Sequence, residues 1–254
     1  MSTEIATVAL HVERSGAGAT PLLLLHGMTG SSDDWRHVFD LAALRARYDV
    51  IAPDLRGHGR SRDIGERFSH RACAADVLAM LDAQGLQRQP VAAIGLSLGG
   101  NTLLHAATQQ PERFSALVLV STTLEYDERA RAIMSQMRFD ALPEVERQRM
   151  RAVHGGGEAQ IDALIAAVRA MADDPAGATL AEAELSRIAA PALVVYGDRD
   201  PLYPLEMALR QARGLPRAEL WVVPGEAHLP VFGAWRPTFE AQALAFIERA
   251  INAS

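Results

Sequence analysis

Through roughly the first half of the chain, short unbroken apolar runs alternate with longer stretches in which apolar residues recur at helical spacing. The runs fall at 8–12, 22–25, 50–52, 91–94 and 117–120, and the helical patterns at 31–47, 70–84 and 98–109. A strand with one wet face alternates apolar with polar residues, whereas these runs, broken only by His11, are of Val, Leu, Ile and Ala and have no polar face to offer. Such strands, separated by helices, predict a mostly parallel sheet with helices on both faces. Runs at 192–196 and 220–223, followed by helical patterns at 205–213 and 238–251, extend this α/β architecture toward the C-terminus.

The alternation stops between about 124 and 187, where only helical patterns remain, at 127–138, 143–153 and 158–171. Leu142-Pro143 and His154-Gly155-Gly156-Gly157 separate them. Proline suits the first turn of a helix, and a glycine triplet breaks one. The expected organisation is a core domain from 1–123 and 188–254 with a helical cap, 124–187, inserted after a strand. Ordinary core helices are the plainer alternative for that span.

Composition narrows the partners. With 254 residues, 49 % of them hydrophobic, the chain fits one large domain or a core with an insertion, and disorder is excluded. A net charge of −6 argues against binding a phosphate backbone. The lone cysteine, Cys73, excludes an internal disulfide and multi-cysteine zinc sites, and reads as a small buried hydrophobe in its helix. The N-terminus shows no basic stretch followed by an apolar run, and no run is long enough to span a bilayer. We therefore expect a soluble cytoplasmic protein, monomer or homodimer, with no nucleic-acid or membrane partner. No H-E-x-x-H, phosphate-loop or dinucleotide-binding pattern occurs, so no metal or cofactor is expected.

The sharpest local signal is Gly95-Leu96-Ser97-Leu98-Gly99-Gly100, placed between the run at 91–94 and the helix at 98–109. A serine on a tight strand-to-helix turn sits in strained backbone with its hydroxyl raised above the sheet, and a Cβ two residues to either side would clash across the turn. A serine nucleophile needs a base, and the base needs an orienting carboxylate. His228, in Gly225-Glu226-Ala227-His228 after the last run, is the only histidine beyond His154. For the acid, Asp200 is favoured over Asp198, because Gly197-x-x-Asp200-x-x-x-Pro204 sets its carboxylate in the loop past the strand's carboxyl end; Glu125 ranks third. Oxyanion donors are expected from the Leu98 amide and from the loop His26-Gly27-Met28-Thr29-Gly30, with the Met28 amide preferred. Gly27 is expected to permit close backbone approach there, and His26 to hold the loop's shape. Met134, Met137 and Phe139 could line an acyl pocket or pack cap on core. The basic run 144–151 reads as a solvated helix face.

Together with Asp54-Leu55-Arg56-Gly57-His58-Gly59-Arg60-Ser61, these motifs occur in an order that resembles the α/β-hydrolase fold superfamily from about Val8 to Ile251. The resemblance implies a sheet of up to eight strands with its first hairpin region antiparallel, and structural roles for Arg56 and His58. It points to a cofactor-independent Ser97–His228–Asp200 hydrolase acting on a small or medium carboxylic ester or lactone. Serine at the turn sets the chain apart from the epoxide hydrolases and haloalkane dehalogenases it resembles elsewhere, which use aspartate. Leu96 and Leu229 stand where carbon–carbon-bond hydrolases usually carry Asn and Trp. Carbon–carbon cleavage, lyase chemistry, perhydrolysis, or a ligand-binding signalling role are the alternatives.

Overall fold

A computed structural model describes residues 5–174 and 179–253. Seven strands form one sheet among these residues: β1 (Val12–Ser15), β2 (Thr20–Leu25), β3 (Tyr48–Pro53), β4 (Val91–Leu96), β5 (Phe114–Val120), β6 (Ala192–Gly197) and β7 (Ala218–Val223). Their order is β1-β3-β2-β4-β5-β6-β7. All neighbours are parallel except β1 and β3, so the antiparallel pair joins β1 to β3 and no β1–β2 hairpin exists.

Alternate residues of the buried strands enter two separate apolar layers. Leu23, Leu25, Ala93, Leu117 and Val194 belong to one; Leu22, Leu24, Ile94, Val118 and Val195 belong to the other. A period of two along each strand is why the runs need no polar positions. Helices α2 (His70–Ala83), α3 (Leu98–Gln109) and α8 (Leu205–Gly214) cover the first layer, and α1 (Leu41–Arg47) and α9 (Arg236–Asn252) the second.

Two expected elements change form. The run at 8–12 contributes only its last residue to β1. The Val8 amide donates to Asp76 Oδ1 at 2.8 Å and the His11 amide to Ser61 Oγ at 2.7 Å, so side chains take donors that a ladder would have used. The pattern at 31–47 splits into a 3₁₀ turn, Ser32–His37, and α1, because Asp40 caps a fresh start by accepting from the Ala42 and Ala43 amides.

After β5 the chain runs through α4 (Glu128–Ser135), α5 (Glu144–Val153), α6 (Glu158–Asp173) and the short α7 (Glu182–Leu185) before returning as β6. Within this span Met150, Ile161 and Ile165, joined by Met137, Phe139 and Leu142, form a small apolar cluster of their own. Gly157, at φ +71°, precedes α6 where the triplet predicted a break.

Candidate active site

The sheet changes winding direction at β2, whose neighbours are β3 on one side and β4 on the other. The loops leaving the carboxyl ends of β2 and β4 therefore diverge around a crevice, where open α/β sheets place their ligands. Those loops carry Met28 and Ser97.

Ser97 sits at φ +48°, ψ −107°, with its amide donating to Val120 O at 2.8 Å. The glycines beside it are obligatory. A Cβ on Gly95 would lie 2.5 Å from the Gly100 nitrogen, and one on Gly99 would lie 2.2 Å from the Leu25 carbonyl oxygen. Ser97 Oγ lies 2.9 Å from His228 Nε2, and His228 Nδ1 lies 2.7 Å from Asp200 Oδ2. The other oxygen of Asp200 accepts from the Leu202 and Tyr203 amides at 2.8 and 3.0 Å, so the buried carboxylate is held from both sides. A carboxylate bound this way makes Nδ1 the protonated nitrogen and leaves Nε2 free to accept the serine proton.

The rival carboxylates lie elsewhere. Asp198 is exposed and accepts from the Gly225 amide at 2.6 Å, capping a turn. Glu125 pairs with Arg210 at 2.5 Å.

A cavity of about 420 Å³ opens over Ser97, lined by Met28, Leu98, Met134, Met137, Tyr203 and His228 among others. Its walls are apolar, and the helices at 124–187 supply much of them. Met28 and Leu98 both border it, and among the described residues neither amide donates to a protein acceptor. Phe139 is not on this lining. It packs with Met150, Ile161 and Ile165 beneath the Arg151 guanidinium, which lies 5.1 Å from its ring centre. Phe139 opens the 3₁₀ turn Phe139–Ala141, while Met137 is on the lining.

Three lining residues carried no sequence signal. Tyr203 sets its ring edge-on to His228, with centroids 5.3 Å apart, and stacks on Tyr126. Tyr126 Oη lies 2.6 Å from Nε2 of His70, a ring that burial holds neutral with its pKa lowered to about 3. None of these residues falls in a motif, and their meeting is a product of the fold.

His26 and His58 are both bonded into the surrounding loops. His26 Nδ1 donates to Gly27 O at 2.8 Å and Nε2 accepts the Leu55 amide at 3.0 Å. His58 Nδ1 donates to Arg56 O, and Nε2 accepts the Thr29 amide at 3.2 Å. Burial lowers the pKa of both, which keeps Nε2 available as an acceptor. Arg56 pairs with Asp76 at 2.5 Å in full burial. Cys73 is buried as well, which pushes its thiol up to about 12. A Cβ on Gly27 would meet nothing closer than 3.5 Å, so that glycine is not sterically required. The strained residue of the loop is instead Thr29, at φ +64°.

The model of the alpha/beta hydrolase fold family matches residues 20–171. The chain belongs to the α/β-hydrolase family. It is 29 % identical to the pimeloyl-[acyl-carrier protein] methyl ester esterase of Nitrosomonas europaea, over 87 % of this chain and 93 % of that one. It is also 29 % identical to the 2-hydroxy-6-oxononadienedioate/2-hydroxy-6-oxononatrienedioate hydrolase of Paraburkholderia phymatum, over 84 % and 82 %. A hydrolase from Pseudomonas aeruginosa PA01 shares the fold, with a TM-score of 0.74 at 23 % identity over 97 % of this chain and 99 % of that one. Hydrolase activity is the coarse function these likenesses support. Among the described residues no helix is long and apolar enough to cross a membrane, and no group of three or more His, Cys, Asp or Glu could hold a metal ion.

Proposed function

We propose that the chain is a serine hydrolase cleaving a small or medium carboxylic ester or lactone through an acyl-enzyme. The observation that carries this reading is the continuous line from Ser97 Oγ through His228 to Asp200, at 2.9 and 2.7 Å, at the floor of an apolar cavity. Ser97 attacks the carbonyl carbon while His228 Nε2 takes its proton, and Asp200 stabilises the imidazolium. The negative oxygen of the tetrahedral intermediate falls to the Met28 and Leu98 amides, aided by the N-terminus of α3. His228 then protonates the departing alkoxide and activates water to release the acid. The helices at 124–187 act as a cap, and Met134 and Met137 contact the substrate; water excluded beneath them strengthens each charge interaction inside.

Turnover of p-nitrophenyl acetate and butyrate by the wild type, abolished in Ser97→Ala, is the expected result. No Ser97-dependent turnover of any simple ester or lactone would sink the reading. The likeness to the dienedioate hydrolase supports carbon–carbon cleavage as the second reading, and hydrolysis of a dienoate without ester turnover would favour it.

A further inference from the structure

The basic run at 144–151 was expected to be a solvated face, and Arg147 and Arg151 do pair with Glu144 and Glu158 on the surface. Arg149 departs from this. From α5, in the span read as the cap, it crosses to the core loop that holds Met28. Its Nη2 donates to the Thr29 hydroxyl at 3.1 Å and to the Thr29 carbonyl oxygen at 3.3 Å. Glu146 braces the guanidinium from its own helix at 2.6 Å, and Asp34 lies 3.5 Å from Nη1.

Thr29 is a β-branched residue in the left-handed region, a conformation that persists only where surrounding contacts impose it. Those contacts are few and specific. The turn is closed by the Gly30 amide on Gly27 O at 3.1 Å. The Thr29 amide is taken by His58 Nε2, and its carbonyl and hydroxyl by Arg149. Met28 and Thr29 are the two central residues of this closed turn, whose first peptide carries the Met28 N–H, so holding Thr29 fixes the turn and with it the direction of that N–H. Without Arg149, the Gly30 bond, His58 and His154 still hold the turn, but its charged donor is lost.

We propose that Arg149 is a positioning residue that aims the Met28 amide at the oxyanion, so that turnover depends on seating of the helical span as well as on the triad. This rests on the reading of Met28 as an oxyanion donor. A preorganised donor contributes only while its direction is fixed before charge develops. The predicted signature is therefore a loss confined to the transition state.

The test compares wild type, Arg149→Met and Arg149→Lys in two readouts. For p-nitrophenyl butyrate, Arg149→Met should lower kcat on the order of 10- to 100-fold, with KM nearly unchanged. It should weaken an alkyl trifluoromethyl ketone, which forms a bound oxyanion on Ser97, by a similar factor. Arg149→Lys should recover part of both. Independently of activity, amide hydrogen exchange at Thr29 and Gly30 should quicken in Arg149→Met. Unchanged exchange overturns the clamp. Quickened exchange with unchanged kcat overturns its role in catalysis. Full turnover by Ser97→Ala would instead overturn the ester-hydrolase reading, and exchange alone would still decide whether the clamp exists. Should Arg149→Met fail to fold, Arg149→Lys carries the same comparison at smaller amplitude.

Discussion

The floor and the roof of the cavity are built by different physics. The floor is the carboxyl edge of a parallel sheet whose strands β2, β4, β5 and β6 are almost wholly buried; Ser97 and Asp200 sit on loops leaving β4 and β6, and His228 on the loop leaving the less buried β7. Their positions are set by backbone: the positive φ of Ser97, the glycines packed against Leu25 O and Gly100 N, and two amides on Asp200. The roof shares the main apolar layer through Ala130, Met134, Val168 and Met171, has a small core of its own around Met150 and Ile161, and also reaches the core loops through polar contacts: Arg149 to Thr29, His154 to the Gly59 amide at 3.0 Å, and Gln160 to the Gly57 and Gly59 carbonyls. The proposed chemistry thus sits on loops whose geometry is fixed by backbone. The shape of the cavity depends on elements that add individual, directional bonds to apolar packing.

Changes on the floor should consequently be all-or-none. Ser97→Ala and His228→Ala are each expected to lower kcat on the order of 10⁴- to 10⁶-fold, and the double variant to be little worse, since the residues act as a unit. Steady-state kinetics on p-nitrophenyl butyrate decide this, and additive losses would contradict a shared mechanism. Next in size, Asp200→Asn should lose on the order of 10³- to 10⁴-fold while folding normally, because the amide permits the wrong imidazole tautomer. Asp198→Asn keeps an oxygen for the Gly225 amide and should leave kcat nearly unchanged. The reverse order would move the acid to Asp198.

The same contrast explains what could be read without coordinates. Strands β2, β4, β5 and β6 were legible because burial on both faces strips polar residues from them, and the Ser97 turn because its sterics demand glycine at fixed positions. Asp200 separated from Asp198 by its offset from the strand end. The opposite holds for residues whose role depends on where a helix face lands. Phe139 and Met137 lie two residues apart, yet only Met137 faces the cavity. Arg149 shares a charged run with Arg147 and Arg151, yet it alone reaches the core loop. Tyr203 and Tyr126, on two separate loops, meet His70 at the start of α2, and no local pattern encodes such a meeting.

The polar seams of the roof predict an acid sensitivity of their own. His154 is buried at the end of α5, and its Nδ1 must be unprotonated to accept the Gly59 amide. Burial, with the nearby His26 and Arg149, lowers its pKa from 6.5 to about 4. The unfolded chain therefore binds this proton first as pH falls. Stability is complete above the unfolded value and is lost as pH drops from about 6.5 toward 4. At pH 5 the loss amounts to about 2 kcal/mol relative to pH 7. His154→Gln has an oxygen for the Gly59 amide and no proton to gain. Thermal melts at both pH values should show a smaller drop for the variant, and an equal drop would place the acid sensitivity elsewhere.

The smallest effect separates two neighbours within the roof. Met137 lines the cavity and Phe139 belongs to the cluster behind it. Truncating Met137 removes apolar surface that a substrate chain would cover, so Met137→Ala should raise KM for p-nitrophenyl butyrate about fivefold, the equivalent of about 1 kcal/mol of lost burial, and leave kcat nearly unchanged. Acetate, too short to reach that wall, should respond less. Phe139→Ala removes a ring that fills the small core, and should lower stability by about 1–3 kcal/mol while leaving the butyrate-to-acetate preference intact. Measured together, KM ratios and melting temperatures distinguish a wall from its support. If Phe139→Ala alone shifted chain-length preference, the cavity would have to extend behind Met137, and the roof would be a more continuous pocket than its packing indicates.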